Sequence, residues 1–142
     1  MTIGEDLRLH HIGVLVRDIP ASLGFYEKAG YIVESGLIHD PVQTAYVQFL
    51  RLPSDSVYVE LISPDGESSK LSRASTAGGG IHHWCYSTTE MARCIEHLRG
   101  SGLVLVAEPV PAVAFQGRQI AWLGGRDRIL IEVVERGPEG SL

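Results

Sequence analysis

The sequence has few of the features that mark several common classes of protein. It has only two cysteines in 142 residues, so a disulfide framework is not indicated, and we expect Cys85 and Cys94 to be buried thiols. No apolar run is long enough for a membrane helix, and residues 1–6 lack the basic and apolar regions of a signal peptide. We therefore expect a cytoplasmic protein with no membrane partner.

Positive charge is also scarce. The chain has 12 Lys and Arg residues against 17 Asp and Glu, a net charge of −5, and its basic residues do not cluster. This balance disfavours a surface for nucleic acid or for anionic lipid. The hydrophobic content of 44% is typical of a folded protein, and the length suits a single domain spanning residues 1–142.

Two short motifs occur twice with the same spacing. His11, in His10-His11, and His83, in His82-His83, are 72 residues apart, and so are Glu60 and Glu132. Each glutamate lies in an apolar, strand-like run, where a charge is costly unless something pairs with it. The repeat predicts two half-domains that share one core.

The first half-domain, module 1, covers about residues 9–64, and its pattern is strand, helix and three strands. The predicted elements are strand 9–16, helix 19–29 and strands 31–37, 45–52 and 57–62. Asp18 is the predicted N-cap with Pro20 in the first turn, and Gly30 is the predicted stop. His39-Asp40-Pro41 is predicted to be a loop.

Module 2, about residues 81–135, repeats this βαβββ order. A polar linker rich in Ser and Gly, residues 65–80, precedes it and has room for a short helical turn at 70–74. Ser87 and Glu90 match a capping box at the start of the second helix. The predicted elements are strand 81–87, a helix ending near residue 99, strands 103–107, 118–123 and 129–134, and a proline-containing loop at 108–117.

The alternation of side chains along these strands suggests where the repeated residues point. His11, His83, Glu60 and Glu132 all fall on the face opposite to the helix-packed one. If the halves pair and their sheets curl, the four side chains converge on one concave surface. Two imidazoles and two carboxylates suit one divalent ion of Mn, Co, Ni, Fe, Zn or Mg. We therefore predict an α+β fold whose tandem modules form a curved, eight-stranded mixed sheet around a metal-binding cleft.

These motifs resemble the vicinal oxygen chelate superfamily, which includes glyoxalase I and methylmalonyl-CoA epimerase. The resemblance covers about residues 9–135 and rests on the βαβββ duplication and on three segments, 11–19, 80–83 and 130–135. The doubled His motif and segment 117–123 are most similar to the epimerase-like branch. The epimerase-like branch usually has Gln at the position of Glu60, whereas glyoxalase I has Glu at this position.

The resemblance implies that substrate chelates the metal through adjacent oxygens. We expect an epimerase or isomerase that acts through a metal-stabilised enolate on a small acyl or 2-oxo/carboxylate substrate. In this reaction Glu132 is a metal ligand that also shuttles the proton, and Glu60 is its counterpart in proton transfer. The alternatives are a glyoxalase-type lyase, an Fe(II) oxygenase and a non-catalytic resistance protein that sequesters a ligand. Asp40 is a weaker second-base candidate, because a carboxylate beside Pro41 more often belongs to a turn.

Other residues are given subsidiary roles. We assign substrate contacts to Arg118, Phe115 and Tyr46, although arginines near turns are often simply exposed. His10 and His82 face the helices and are interpreted as structural. We expect a small-molecule substrate and a homodimer.

Overall fold

A computed structural model describes residues 1–142, which divide into two compact units. The central unit is residues 11–82, and the terminal unit combines residues 1–10 with 83–142. No helix in either unit has the length and apolar character that crossing a membrane requires. The predicted modules, 9–64 and 81–135, fall largely within the central and the terminal unit, and the predicted linker, 65–80, lies wholly inside the central unit.

The chain has four α-helices and nine β-strands. In chain order they are α1 (Ile3–Asp6), β1 (Arg8–Leu15), α2 (Ile19–Lys28), β2 (Ile32–Val33), β3 (Ile38–Asp40), β4 (Ala45–Arg51), β5 (Tyr58–Pro64), α3 (Ser72–Thr76), β6 (Gly80–Thr88), α4 (Met91–Gly100), β7 (Val104–Pro111), β8 (Gln119–Gly124) and β9 (Leu130–Glu135). Two 3₁₀ turns, Val113–Phe115 and Arg126–Arg128, connect the last strands.

In the central unit the strand order is β2-β4-β5-β1, and β3 also pairs with β4. β1 and β5 are parallel, whereas the other pairs are antiparallel. Ile19 of α2 packs on Leu50 and Leu61, and all three are almost completely buried. Burial of such side chains contributes roughly 1.5–3 kcal/mol each, so this face holds α2 against the sheet.

The terminal unit has the order β6-β9-β8-β7, again with one parallel pair, β6 with β9. Cys94 and Leu98 of α4 pack on Leu123, Ile131 and Val133. Both units therefore mix parallel and antiparallel pairs and combine helices with strands, which confirms the predicted α+β class. Both cysteines are buried, as expected.

Module 2 has the predicted βαβββ order, but module 1 has one strand more than predicted. The expected loop at 39–41 was wrong, because residues 38–40 form β3, and the chain has nine strands instead of eight. The Asp40 carboxylate accepts the backbone N–H groups of Val42 (3.0 Å) and Gln43 (3.1 Å). This turn lets β3 fold back on β4, so a Pro-containing segment can still follow a strand.

The predicted strand 31–37 shortens to Ile32–Val33. Beyond it, the Ser35 hydroxyl accepts the backbone N–H of Phe49 at 3.0 Å, and the Ser35 carbonyl accepts the Gln48 side-chain amide at 3.0 Å. The serine hydroxyl thus takes the place of a ladder acceptor, and regular pairing stops.

The start of the first long helix agrees with its sequence signal. The Asp18 carboxylate accepts the N–H of Ala21 at 3.0 Å, Pro20 lies in the first turn, and Gly30 after the helix has φ 108°. The capping box expected at Ser87 and Glu90 was wrong. Ser87 belongs to β6, and the N-cap of α4 is Glu90 without a side-chain cap bond.

The segment predicted to be a loop at 108–117 is also shorter than expected. β7 runs on to Pro111, and β8 is its only neighbour in the terminal unit. Pro109 and Pro111 are tolerated because an edge strand does not need every N–H for a ladder. The helical turn expected at 70–74 is present as α3, slightly later in the chain.

A buried carboxylate ties α1 to the rest of the terminal unit. Asp6, 2% exposed, accepts hydrogen bonds from the hydroxyl groups of Thr88 and Thr89 and forms an ion pair with Arg136 at 3.3 Å. Burial raises the pKa of Asp6, but these hydrogen bonds and the Arg136 charge together outweigh it and hold the pKa below its usual value.

Candidate metal centre

The central unit contains one buried histidine and one buried glutamate in contact. His11 on β1 and Glu60 on β5 are both nearly inaccessible to solvent, and the His11 Nε2 atom lies 3.5 Å from Glu60 Oε1. Gly13 is directly opposite Glu60 in the parallel pair. With no side chain beside it, Gly13 leaves space on the face that carries the two polar groups.

The terminal unit contains a second pair with the same geometry. His83 on β6 and Glu132 on β9 are buried, and the His83 Nε2 atom lies 3.5 Å from Glu132 Oε1. Cys85 stands opposite Glu132 in this parallel pair, where Gly13 stands opposite Glu60 in the other. The repeat of 72 residues therefore extends from the sequence to the strand register.

An aromatic residue accompanies each pair. Phe49 lies opposite Glu60, and its ring meets the His11 ring edge-on at 5.4 Å. Trp122 lies opposite Glu132 and meets His83 edge-on at 4.7 Å. The sequence analysis did not assign these aromatic residues to the site. Packing of this kind restricts the orientation of an imidazole ring.

The two pairs suit a divalent ion in chemistry and in spacing. Two ligand atoms about 2.1 Å from one ion, separated by the tetrahedral angle, lie roughly 3.4 Å apart. The nitrogen-to-oxygen distance in each pair is 3.5 Å. Buried carboxylates also need a positive partner, and a mixed nitrogen and oxygen set is one that first-row divalent ions accept. The assignment of His11, Glu60, His83 and Glu132 to one ion stays a prediction.

The structure gives Asp40 a local role. Its carboxylate is 7% exposed and accepts two backbone N–H groups within its own turn. The neighbouring His39 has its Nε2 atom 2.9 Å from Asp65 Oδ2, and its ring lies 4.9 Å from that of Tyr46. These contacts favour the interpretation of Asp40 as a turn carboxylate, and the substrate role of Tyr46 stays a prediction.

Arg118 is engaged by backbone carbonyls. Its guanidinium donates hydrogen bonds to the carbonyl oxygens of Phe115 (3.1 Å), Glu135 (2.8 Å) and Leu142, and it lies over the Phe115 ring. Burial lowers the pKa of Arg118, and the charge of Glu135 opposes this shift. Phe115 is itself buried and contacts His10 edge-on at 5.4 Å. Substrate contacts for Arg118 and Phe115 remain predictions.

Comparison with known proteins gives a family match over most of the chain. The glyoxalase/bleomycin resistance protein/dioxygenase superfamily matches residues 9–122. No curated protein matches the sequence.

Solved structures show the same fold over nearly the full length. A hypothetical protein from Bacillus halodurans C-125 is similar at 26% identity and TM-score 0.82, with 96% of this chain and 99% of that chain covered. Methylmalonyl-CoA epimerase from Mycobacterium tuberculosis is similar at 25% identity and TM-score 0.79, covering 92% and 89%. The Streptomyces coelicolor epimerase, at 23% identity and TM-score 0.79 with 92% and 98% covered, supports the fold alone.

Proposed function

This chain belongs to the glyoxalase/bleomycin resistance protein/dioxygenase superfamily, and from that premise we propose that it is a metal-dependent epimerase or isomerase. The substrate is a small acyl or 2-oxo/carboxylate compound with an acidic C–H bond beside a carbonyl group. The observation that carries the proposal is the repeated buried pair, in which His11 meets Glu60 and His83 meets Glu132 at the same distance of 3.5 Å.

We assign these four side chains to a single divalent ion of Co, Mn, Ni, Zn, Mg or Fe. When bound, such an ion supplies positive charge where an enolate oxygen develops. The equal distances and the repeated strand register support equivalent roles for the two pairs. The chelate chemistry implied by the family resemblance supports their use of one shared ion.

Proton transfer is assigned to the two glutamates. Epimerisation removes a proton from one face of a carbon and returns a proton to the other face, which requires a base and an acid on opposite sides. Glu132 is assigned as a ligand that also moves the proton, and Glu60 as its counterpart. Both carboxylates are at least 95% buried, so water competes little with the substrate proton.

Methylmalonyl-CoA is the first substrate to test, because structural neighbours of this chain are epimerases of that compound. The protein, loaded in turn with each candidate metal, is incubated with methylmalonyl-CoA in D₂O. Incorporation of deuterium at the α-carbon, dependent on metal and lost in Glu132→Gln, is the expected result. If no metal gives exchange above the rate of the Glu132→Gln variant, epimerisation of this thioester is wrong.

A glyoxalase-type lyase is the second candidate, and Glu60 favours it. The epimerase-like pattern usually has Gln at this position, whereas this chain has a buried Glu in contact with His11. The proposed epimerisation also uses the Glu60 carboxylate, so Glu60→Gln should impair either activity and the substrate has to separate the two functions. An epimerase exchanges the α-proton of methylmalonyl-CoA, whereas a glyoxalase-type lyase leaves this thioester unchanged and converts a hemithioacetal.

The two remaining alternatives make different predictions. An Fe(II) oxygenase consumes O₂ in proportion to substrate and needs open coordination positions, which a fourth protein ligand would reduce. A ligand-sequestering protein binds its compound without metal and leaves it unchanged. Oxygen uptake and metal analysis of the purified protein distinguish these functions from an epimerase. Light scattering on the same sample checks the expected homodimer.

A further inference from the structure

The central unit has a cleft on the side of α3, with a volume of about 800 Å³. It opens where β1 and β5 end, and α3 forms one of its walls. The side chains that matter for its chemistry are Arg17, Glu67, Arg73, Ser75 and Thr76. None of them belongs to the proposed metal centre.

The backbone around the cleft is held firmly. The N–H of Val16 donates to the Ile62 carbonyl at 2.8 Å, which keeps the two strand ends together. The Ser72 hydroxyl donates to the Gly66 carbonyl at 2.8 Å, which fixes the start of α3 on the preceding loop. After α3, Gly79 adopts φ +64° and passes so close to the Leu15 carbonyl that a Cβ atom there would collide with it. These contacts fix the position of α3 relative to the ends of β1 and β5.

Two arginines face this cleft without an ionic partner. The side chains of Arg17 and Arg73 are exposed and form no hydrogen bond or ion pair in the structure. Four other arginines do have acidic or carbonyl partners: Arg51, Arg93, Arg118 and Arg136. In a protein with a net charge of −5, two unpaired guanidinium groups on one cleft form a local site for an anion.

A serine hydroxyl gives a second indication. Ser75 is only 6% exposed as a residue, it lines the cleft, and its hydroxyl forms no hydrogen bond within the protein. A hydroxyl that faces a cleft without a protein partner is able to donate to a ligand oxygen.

We propose that this cleft binds a phosphate-bearing ligand. The two guanidinium groups and the Ser75 hydroxyl come from separate segments, so they can reach different oxygens of one tetrahedral group. Phosphate offers more acceptor oxygens and more charge than a carboxylate. Glu67, which also lines the cleft, repels an anion and so limits the affinity. The site does not depend on the metal centre or on the proposed reaction.

Calorimetric titration at low ionic strength tests the proposal with three probes: inorganic phosphate, pyrophosphate and adenosine 3′,5′-bisphosphate. We expect at least one probe to bind with 1:1 stoichiometry. Arg17→Gln and Arg73→Gln should each raise the Kd by about tenfold or more, and Ser75→Ala by a smaller factor. Glu67→Gln should lower the Kd, because it removes the repelling charge. Arg8→Gln, at an exposed arginine outside the cleft, is the matched control and should leave the Kd unchanged.

The probes also identify the source of the phosphate. Equal affinity for all three indicates a site for a free phosphate group, whereas a much tighter complex with the bisphosphate indicates a nucleotide-bearing ligand. Circular dichroism of each variant checks that the fold is intact. The proposal is overturned if no probe binds with a Kd of about 10 mM or lower, a range that includes the millimolar affinities of weak complexes, or if the Arg17→Gln/Arg73→Gln double variant binds as well as the wild type.

Discussion

The Nε2 atom of His83 lies 3.5 Å from Oε1 of Glu132, on adjacent parallel strands inside the terminal unit. Both side chains are buried, so neither can satisfy its charge or hydrogen bonding in bulk water. The pair His11 and Glu60 has the same separation in the central unit. If all four residues hold one ion, loss of one histidine removes the whole site and does not leave half of the metal in place.

His83→Ala should therefore abolish metal binding while the protein stays folded. Loss of an outer-shell partner alone costs about 10–100-fold in metal affinity, and loss of a ligand should cost at least that. Metal content by mass spectrometry should fall from one ion per chain to almost none, and His11→Ala should have the same effect. His97→Ala, at an exposed histidine on α4, is the control. Half occupancy in either variant would mean that the pairs bind separate ions.

The sequence predicted these pairs because the duplication places His and Glu at a constant spacing. The alternation of side chains along a strand then determines the face of the sheet on which each of them lies. It did not predict β3, since Asp40-Pro41 is typical of a turn and the fold uses that turn to close a hairpin. It also missed the cleft beside α3. Arg17 and Arg73 lie far apart in sequence, and no local pattern indicates that they line the same cleft.

Trp122 should control the affinity of the metal site through the orientation of His83. Its ring meets the imidazole edge-on at 4.7 Å, so Trp122→Ala frees the imidazole to rotate. We expect metal affinity to fall by about tenfold, with a loss of stability of about 3 kcal/mol from the removed aromatic group. Trp122→Phe keeps an aromatic edge and should restore most of the affinity. A variant that loses stability but binds metal normally would show that Trp122 serves packing alone.

Asp6 should contribute stability that disappears in acid. Its pKa in the folded protein is held below its usual value by Thr88, Thr89 and Arg136, which outweigh the effect of burial. The unfolded state therefore takes up the proton first as pH falls, and stability declines below about pH 4. Asp6→Asn should cost about 3 kcal/mol near neutral pH, because it leaves the Arg136 charge without its partner, and should flatten the acid decline.

Urea unfolding at several pH values between 3 and 7 measures this effect. Glu139→Gln, at an exposed carboxylate, is the control and should keep the shape of the wild-type profile. If the stability of Asp6→Asn falls as steeply with decreasing pH as that of the wild type, the proton uptake on unfolding belongs to groups other than Asp6.

Cys94 should resist alkylation and make stability fall in alkali. Burial first, and then the charge of Asp6, raise the pKa of the thiol to about 11, although a hydrogen bond with Thr88 opposes the shift. The thiolate is the reactive form, so the native protein should react slowly at pH 8 and rapidly once unfolded. In the unfolded chain the thiol ionises near its ordinary value, so stability should decline from about pH 9 upward. Cys94→Ala should remove part of this decline, as unfolding curves between pH 8 and 11 would measure.

Gly79 should be intolerant of any side chain because of its backbone and its neighbour. It adopts φ +64°, and a Cβ atom would collide with the Leu15 carbonyl oxygen. Gly79→Ala should cost about 1–3 kcal/mol, as a strained left-handed residue typically does. Gly36→Ala is the matched control, because a Cβ atom at Gly36 would have no neighbouring atom within 4 Å, the φ of Gly36 is not positive, and Gly36 lies outside the cleft. If the Leu15 contact holds α3 in place, Gly79→Ala should also weaken phosphate binding at Arg17 and Arg73, whereas Gly36→Ala should not. Equal stability of the two variants in thermal unfolding would show that the segment after α3 can move away from β1 at no cost.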